Sequence, residues 1–147
     1  MLEIYERLEH THTIHPDARL VLDHLQREKG RLRAMSAEGH EIRIFLERGR
    51  PLQVGEYLRS RCGRTVLVEA AIEPVATASC DDWETFSRAC YHLGNRHVKV
   101  QLGERWLRIA QDHVLEEMLQ LLGLQVHRER AAFIPESGAY VHGDHHH

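Results

Sequence analysis

The chain has 147 residues, a length that accommodates one domain or two small ones. Hydrophobic residues make up 42% and charged residues 28%, which argues against wholesale disorder. Nineteen basic side chains against 22 acidic ones give a net charge of -3, so no basic excess favours nucleic acid. The sequence has no apolar run of membrane-spanning length, and its first residues lack the pattern of a secretion signal. We therefore expect a soluble, cytoplasmic protein.

The first half of the chain is predicted to form a small all-β domain. Short segments alternate apolar and polar residues with the period of two that half-buried strands show. These segments are residues 2–5, 32–34, 42–46 and 65–70. Gly39 allows the positive φ that a hairpin between the second and third segments needs. The stretch 20–26 fits either a helical turn or a strand.

The second half is predicted to have the element order of a ferredoxin-like βαββαβ domain. The first helix is predicted to begin at a capping box of Asp81 and Glu84 and to end at Gly94. The second helix is predicted to begin at the N-cap Asp112 and to end at Gly123. The strands are predicted at residues 75–78, 97–102, 106–109 and 125–133.

Each predicted helix has one apolar face that would pack on the sheet. On the two helices these faces comprise Trp83, Phe86, Ala89, Cys90 and Leu93, and then Val114, Leu115, Met118, Leu121 and Leu122. The predicted fold class is α+β. An N-terminal β domain spans residues 1–73, a ferredoxin-like domain spans 74–136, and a flexible histidine-containing tail spans 137–147.

Histidine is over-represented: the chain has thirteen, more than its nine aromatic residues. Imidazole is a common metal ligand, so this excess points to metal binding. The three cysteines, Cys62, Cys80 and Cys90, form no CxxC pair, which argues against a disulfide framework and a zinc ribbon. No nucleophile motif or phosphate-binding glycine loop accompanies the histidines, and we expect no enzyme.

His92 and His97 are the first candidate ligands. Their spacing of five residues would direct them about 140° apart on a continuous helix, so they cannot form the clamp of i, i+4 histidines. Gly94 lies between them and would leave His97 on a loop or at the start of a strand, where it could be exposed. The alternative interpretation is a helix C-terminus with a histidine near the negative end of its dipole.

Asp112 and His113 are the second candidates, either as metal ligands or as the acid–base dyad of an enzyme. The simpler interpretation is that Asp112 only caps a helix and His113 occupies its first turn. The third group of candidates lies in the tail, where clustered histidines can bind divalent ions or be the remnant of an expression tag. This group comprises His142, His145, His146 and His147.

Two segments resemble the UreE family of urease accessory proteins, which are nickel metallochaperones. They are ACYHLGNRH at residues 89–97 and DHVL at residues 112–115. Further matches are FIPESGAY at 133–140, GRLR at 30–33 and ERG at 47–49. The similarity extends over essentially the whole chain. One departure is Gln111, where some family members have another histidine.

The resemblance implies an N-terminal domain of partner- or peptide-binding type and a metal-binding second domain that forms a homodimer. His97 is then the principal ligand and faces its copy across the two-fold axis, while His92 and His113 are candidates for secondary, more peripheral sites. The tail histidines would complete or feed the central site.

The resemblance implies that the cargo is Ni²⁺ and that the recipient is apo-urease. It also implies that the partners include the other urease accessory proteins, among them a GTPase. No nucleic acid or membrane is implied. Zn²⁺ or Cu²⁺ can bind the same imidazoles. The alternatives are a metal-independent protein-interaction module and a general zinc- or copper-binding protein.

Overall fold

The computed structural model describes residues 1–8 and 15–137. The described residues form two compact units that divide between Ala71 and Ile72. In the first unit the elements are β1 (Leu2–Arg7), β2 (Ala18–Leu22), α1 (His24–Arg27), β3 (Arg31–Met35), β4 (Glu41–Phe45), β5 (Tyr57–Ser60) and β6 (Thr65–Ala70). In the second they are β7 (Ile72–Ser79), α2 (Trp83–Asn95), β8 (Gln101–Leu102), β9 (Trp106–Ala110), α3 (His113–Leu122) and β10 (Gln125–Ala132).

The first unit is built on one mixed sheet with the strand order β2-β6-β5-β1-β4-β3. Alternate side chains from its strands pack into one core, whose fully buried members include Ile4, Leu20, Ile44, Leu58 and Val66. The predicted alternation of strands is therefore confirmed. The stretch 20–26, which fits either a strand or a helical turn, contains the end of β2 and then the start of α1. Asp23 lies between the two elements and caps α1, because its carboxylate accepts from the N–H of Gln26.

The second unit has the antiparallel strand order β10-β7-β9-β8 with two helices, which confirms the predicted ferredoxin-like class. Its core lies between the sheet and the helices and includes Ala78, Leu107, Phe86, Leu93 and Leu119. The predicted boundary at residues 73 and 74 falls inside β7. Pro74 is tolerated there because it lies beyond the residues of β7 that pair with β9.

The ends of α2 differ from the prediction. Its N-cap is Asp82 and not Asp81, since the Asp82 carboxylate accepts from the N–H of Thr85 at 2.9 Å. The helix also continues through Gly94 and ends at Asn95. Of the strand predicted at 97–102, only residues 101 and 102 form a strand, β8. Residues 98–100 alternate between partly buried and exposed side chains without pairing to another strand.

Three side chains assigned to buried helical faces are exposed: Trp83, Val114 and Leu121. Trp83 lies across Phe86 in an edge-to-face contact with 5.8 Å between ring centroids, and Arg105 covers its ring. The predicted cap of α3 at Asp112 and its end at Gly123, with φ 110°, are confirmed. Within the described ranges, no helix is long and apolar enough to cross a membrane.

Candidate metal centre

The two long helices of the second unit run antiparallel. They follow β7 and β9, which are themselves antiparallel neighbours. A Cβ built on Gly123, just after α3, would lie 3.5 Å from Cγ2 of Thr85 in the first turn of α2. The C-terminus of α2 therefore lies at the same end of the unit as the N-terminus of α3. This topology brings four predicted site residues to one end of the unit: His92, His97, Asp112 and His113.

His97 lies in a tight reversal that follows α2. The N–H of Val98 donates to the carbonyl of Leu93 at 3.1 Å, and the N–H of His97 donates to that of Gly94 at 3.0 Å. This pair of bonds is the Schellman motif, in which the residue after the helix cap takes the left-handed conformation. His97 has a φ of 58°, and Arg96 is the cap.

The reversal explains why the helix does not stop at Gly94. Glycine is the usual residue at the left-handed position, but here Gly94 lies one turn earlier and His97 takes that conformation itself. The His97 side chain is exposed, while the backbone beneath it is held by two hydrogen bonds. A rigid turn thus presents one imidazole to solvent.

His92 is more enclosed than His97. It lies in the last turn of α2, is half-buried, and meets the ring of Tyr91 edge to face with 5.4 Å between centroids. Its carbonyl accepts from the N–H of Arg96 at 3.3 Å. His92 is therefore less accessible to an incoming ion than His97 is.

Asp112 performs the capping function that its position predicts. Its carboxylate accepts from the N–H of Leu115 at 3.0 Å, and its own N–H donates to Glu116 at 2.8 Å. Arg128 fixes Glu116 with hydrogen bonds of 2.9 and 3.0 Å, and these bonds hold the pKa of Glu116 below its usual range. His113 is exposed in the first turn of α3. A metal-binding role for Asp112 and His113 stays a prediction.

In the ranges 1–8 and 15–137, no three or more His, Cys, Asp or Glu side chains are grouped so that they could hold a metal ion. The tail candidates His142, His145, His146 and His147 lie outside the described residues. Within the described part, the imidazoles of His97 and His113 are both exposed at this end of the unit, and imidazole is a ligand type that suits Ni²⁺, Cu²⁺ and Zn²⁺.

Sequence reasoning missed the exposure of two apolar side chains at this end of the unit. Tyr91 of α2 and Val114 of α3 are each 68% exposed. Tyr91 does not belong to the predicted apolar face of α2. This position outside the apolar face is the sequence signal that could have predicted its exposure. Val114, which the apolar periodicity predicts on the buried face of α3, lies in the first turn of the helix and is exposed.

Comparison with known proteins agrees with this architecture. A family model described as "UreE urease accessory protein, N-terminal domain" matches residues 3–71, and one described as "UreE urease accessory protein, C-terminal domain" matches residues 73–147. A urease accessory protein UreE of Marinomonas sp. (strain MWYL1) is 61% identical over the full length of both chains.

Two further relatives carry the same name. The urease accessory protein UreE of Alteromonas mediterranea is 49% identical over all of this chain and 95% of its own. That of Pseudomonas fluorescens (strain SBW25) is 47% identical over 88% of this chain and 78% of its own. The resemblance expected from the GNRH and DHVL segments is thereby confirmed, and the chain belongs to the UreE family of urease accessory proteins.

Proposed function

We propose that this protein binds Ni²⁺ as cargo and delivers it to apo-urease, using a site that two copies of His97 form across the two-fold axis of a homodimer. The observation that carries the proposal is the exposure of His97 on a backbone-fixed turn. Membership of the UreE family supports a role in urease maturation. The protein acts as a chaperone and not as an enzyme.

Two-fold symmetry accounts for a site built on so few ligands. An isologous interface duplicates each residue, so one His97 per chain supplies two imidazoles without a ligand pair inside one chain. Nickel binds nitrogen ligands with high intrinsic affinity. A site with few protein ligands keeps coordination positions open, through which tail histidines or an acceptor can enter stepwise.

The proposed interface also accounts for the exposed apolar side chains beside the site. Tyr91 and Val114 lie at the same end of the unit as His97. Association of two copies at this end would cover both side chains and bring the two turns together.

The wider assignments follow from the family. The homodimer would meet urease and its accessory proteins, including the GTPase, in the cytoplasm. His92 and His113, with Asp112 beside them, are proposed as secondary ligands. The tail histidines His142, His145, His146 and His147 are proposed to feed the central site. Zn²⁺ or Cu²⁺ would compete for the same imidazoles, since affinity alone does not select nickel.

Calorimetric titration with Ni²⁺ tests the proposal. His97→Ala should abolish the tightest binding class while leaving the fold intact, because the side chain is exposed. His127→Ala is the matched control, since His127 is also exposed but lies on β10. Unchanged affinity and stoichiometry in His97→Ala, or an equal loss in His127→Ala, would reject the assignment.

A further inference from the structure

Four side chains form a continuous stack on the outer surface of the first unit. Arg61 lies over the ring of Tyr5 at 4.5 Å, Tyr5 stacks on Phe45 with 5.0 Å between ring centroids, and Arg31 lies over Phe45 at 5.8 Å. Tyr5, Phe45 and Arg31 belong to the neighbouring strands β1, β4 and β3, and Arg61 follows β5 on the other side of β1. The stack therefore runs across the sheet and has a guanidinium at each end.

Two more arginines extend this surface, which we call the arginine face: Arg31, Arg33, Arg43 and Arg61 around Tyr5 and Phe45. Glu41 is shared between Arg33 and Arg43, and Glu3 lies 3.7 Å from Arg61. Two carboxylates cannot neutralise four guanidiniums. The arginine face is therefore positive, although the whole chain has a net charge of -3.

The shape of the arginine face suits an extended ligand. A shallow depression of about 360 Å³ lies over β3 and β4, lined in part by Arg31, Arg33, Arg43 and Phe45. Arg31 and Arg33 are alternate residues of β3, so their side chains leave the same side of the sheet about 7 Å apart. Alternate side chains of an extended peptide have the same spacing, so carboxylates at alternate positions match these arginines.

The stacking favours carboxylates over nucleic-acid bases. The strand order puts Arg61 and Phe45 on opposite sides of Tyr5, and Tyr5 and Arg31 on opposite sides of Phe45. Neither ring keeps a free face on which a base could stack, as single-strand binding surfaces require. A guanidinium whose flat face rests on a ring still directs its N–H groups outward in its own plane, where carboxylates bind.

We propose that the arginine face is a docking surface for an extended acidic segment of a partner protein, with carboxylates at alternate positions. The stacked rings hold the two terminal guanidiniums in place and so reduce the entropy that the arginines lose on binding. This docking surface is separate from the nickel site in its residues, and the two proposals can fail independently.

Fluorescence anisotropy of the full-length protein with a labelled Thr–Glu repeat peptide tests the docking surface. The double variant Arg31→Gln, Arg61→Gln should bind the peptide at least about fivefold more weakly, as expected for the loss of exposed ion pairs. Arg19→Gln is the matched control, because Arg19 lies on β2, outside the arginine face, is 54% exposed and has Glu38 and Glu69 as its ion-pair partners. The matching Thr–Gln peptide should bind at least fivefold more weakly to the parent protein.

Each outcome decides the proposal. Selective loss in the double variant, with normal nickel titration and circular dichroism, supports it. Equal loss in Arg19→Gln shows a general charge effect and overturns it. Equal binding of the Thr–Gln peptide, or tighter binding of a labelled oligothymidine than of the acidic peptide, overturns it as well.

Discussion

The N–H of Val98 donates to the carbonyl of Leu93 at 3.1 Å, and this bond closes the chain reversal around His97. The reversal requires a positive φ at the residue it encloses, a conformation that glycine adopts without cost and other residues do not. A histidine at this position therefore makes the folded protein less stable than a glycine would. The proposed metal site explains what the side chain gains there.

His97→Gly should separate stability from function. The left-handed conformation costs a residue with a Cβ about 1–2 kcal/mol, and the extra entropy of glycine in the unfolded chain offsets up to about 1 kcal/mol of this. The free energy of unfolding should therefore stay equal or rise by up to about 2 kcal/mol, while the tightest nickel site is lost. Urea denaturation and nickel titration of the same preparation measure both effects. A marked loss of stability would show that the imidazole itself supports the turn.

Val114→Glu should weaken the proposed homodimer. Glu is favourable in the first turn of α3, so the helix is kept, but association would bury the new charge beside an apolar neighbour. We expect the dimer dissociation constant to rise by about tenfold or more, measured by sedimentation equilibrium.

Leu121→Lys is the control for this change. Leu121 is 82% exposed in the last turn of α3, at the end of the unit away from His97, and a basic residue suits a helix C-terminus. Its dimer dissociation constant should match that of the parent protein. If Leu121→Lys dissociates the dimer and Val114→Glu does not, the interface lies elsewhere on the unit.

Asp112→Ala should lower the free energy of unfolding by about 1 kcal/mol through the loss of a helix cap. Asp112→Asn keeps an oxygen that can accept from the N–H of Leu115, and its stability should match the parent protein. Both variants should keep the tightest nickel site, which the proposal assigns to His97. Loss of that site in Asp112→Asn would make the carboxylate a principal ligand.

The contribution of Glu116 to stability should depend on pH. Its hydrogen bonds to Arg128 lower its pKa from the ordinary value of 4.5 in the folded protein. A carboxyl group whose pKa is lower when folded stabilises the protein above its unfolded pKa and loses that contribution as the pH falls through the folded pKa.

Glu116→Gln should therefore reduce the unfolding free energy at neutral pH, and its difference from the parent should shrink once the pH falls below about 4.5. Glu117→Gln, a neighbouring exposed position on α3, is the control. Denaturation curves over this pH range measure the difference. A difference that stays constant with pH would exclude the ion pair as its cause.

The sequence predicted those elements whose signals are local. Alternation placed β3 and β4, and Asp112 and Gly123 bounded α3, because strand burial and helix caps depend on neighbouring residues. The end of α2 was predicted wrongly. Gly94 carries the usual stop signal, but the helix continues to Asn95 and the chain reverses at His97, next to Val98, which is partly buried against the core.

The sequence predicted only part of the candidate metal site. Spacing excluded a clamp of His92 and His97 within one helix but gave no distance between either residue and α3. The antiparallel packing of α2 and α3, which brings His113 to the same end, is a property of the sheet order. The Arg61–Tyr5–Phe45–Arg31 stack joins residues far apart in the chain and has no local sequence signal.

The metal-to-chain ratio of the tightest nickel site tests the central claim most directly. Titration of a chain ending at residue 137, followed by native mass spectrometry, removes the contribution of the tail histidines. A site made by two copies of His97 predicts one tightly bound ion for every two chains, found only in dimers and lost in His97→Ala. One tightly bound ion on each monomer, or an ion retained in His97→Ala, would contradict it.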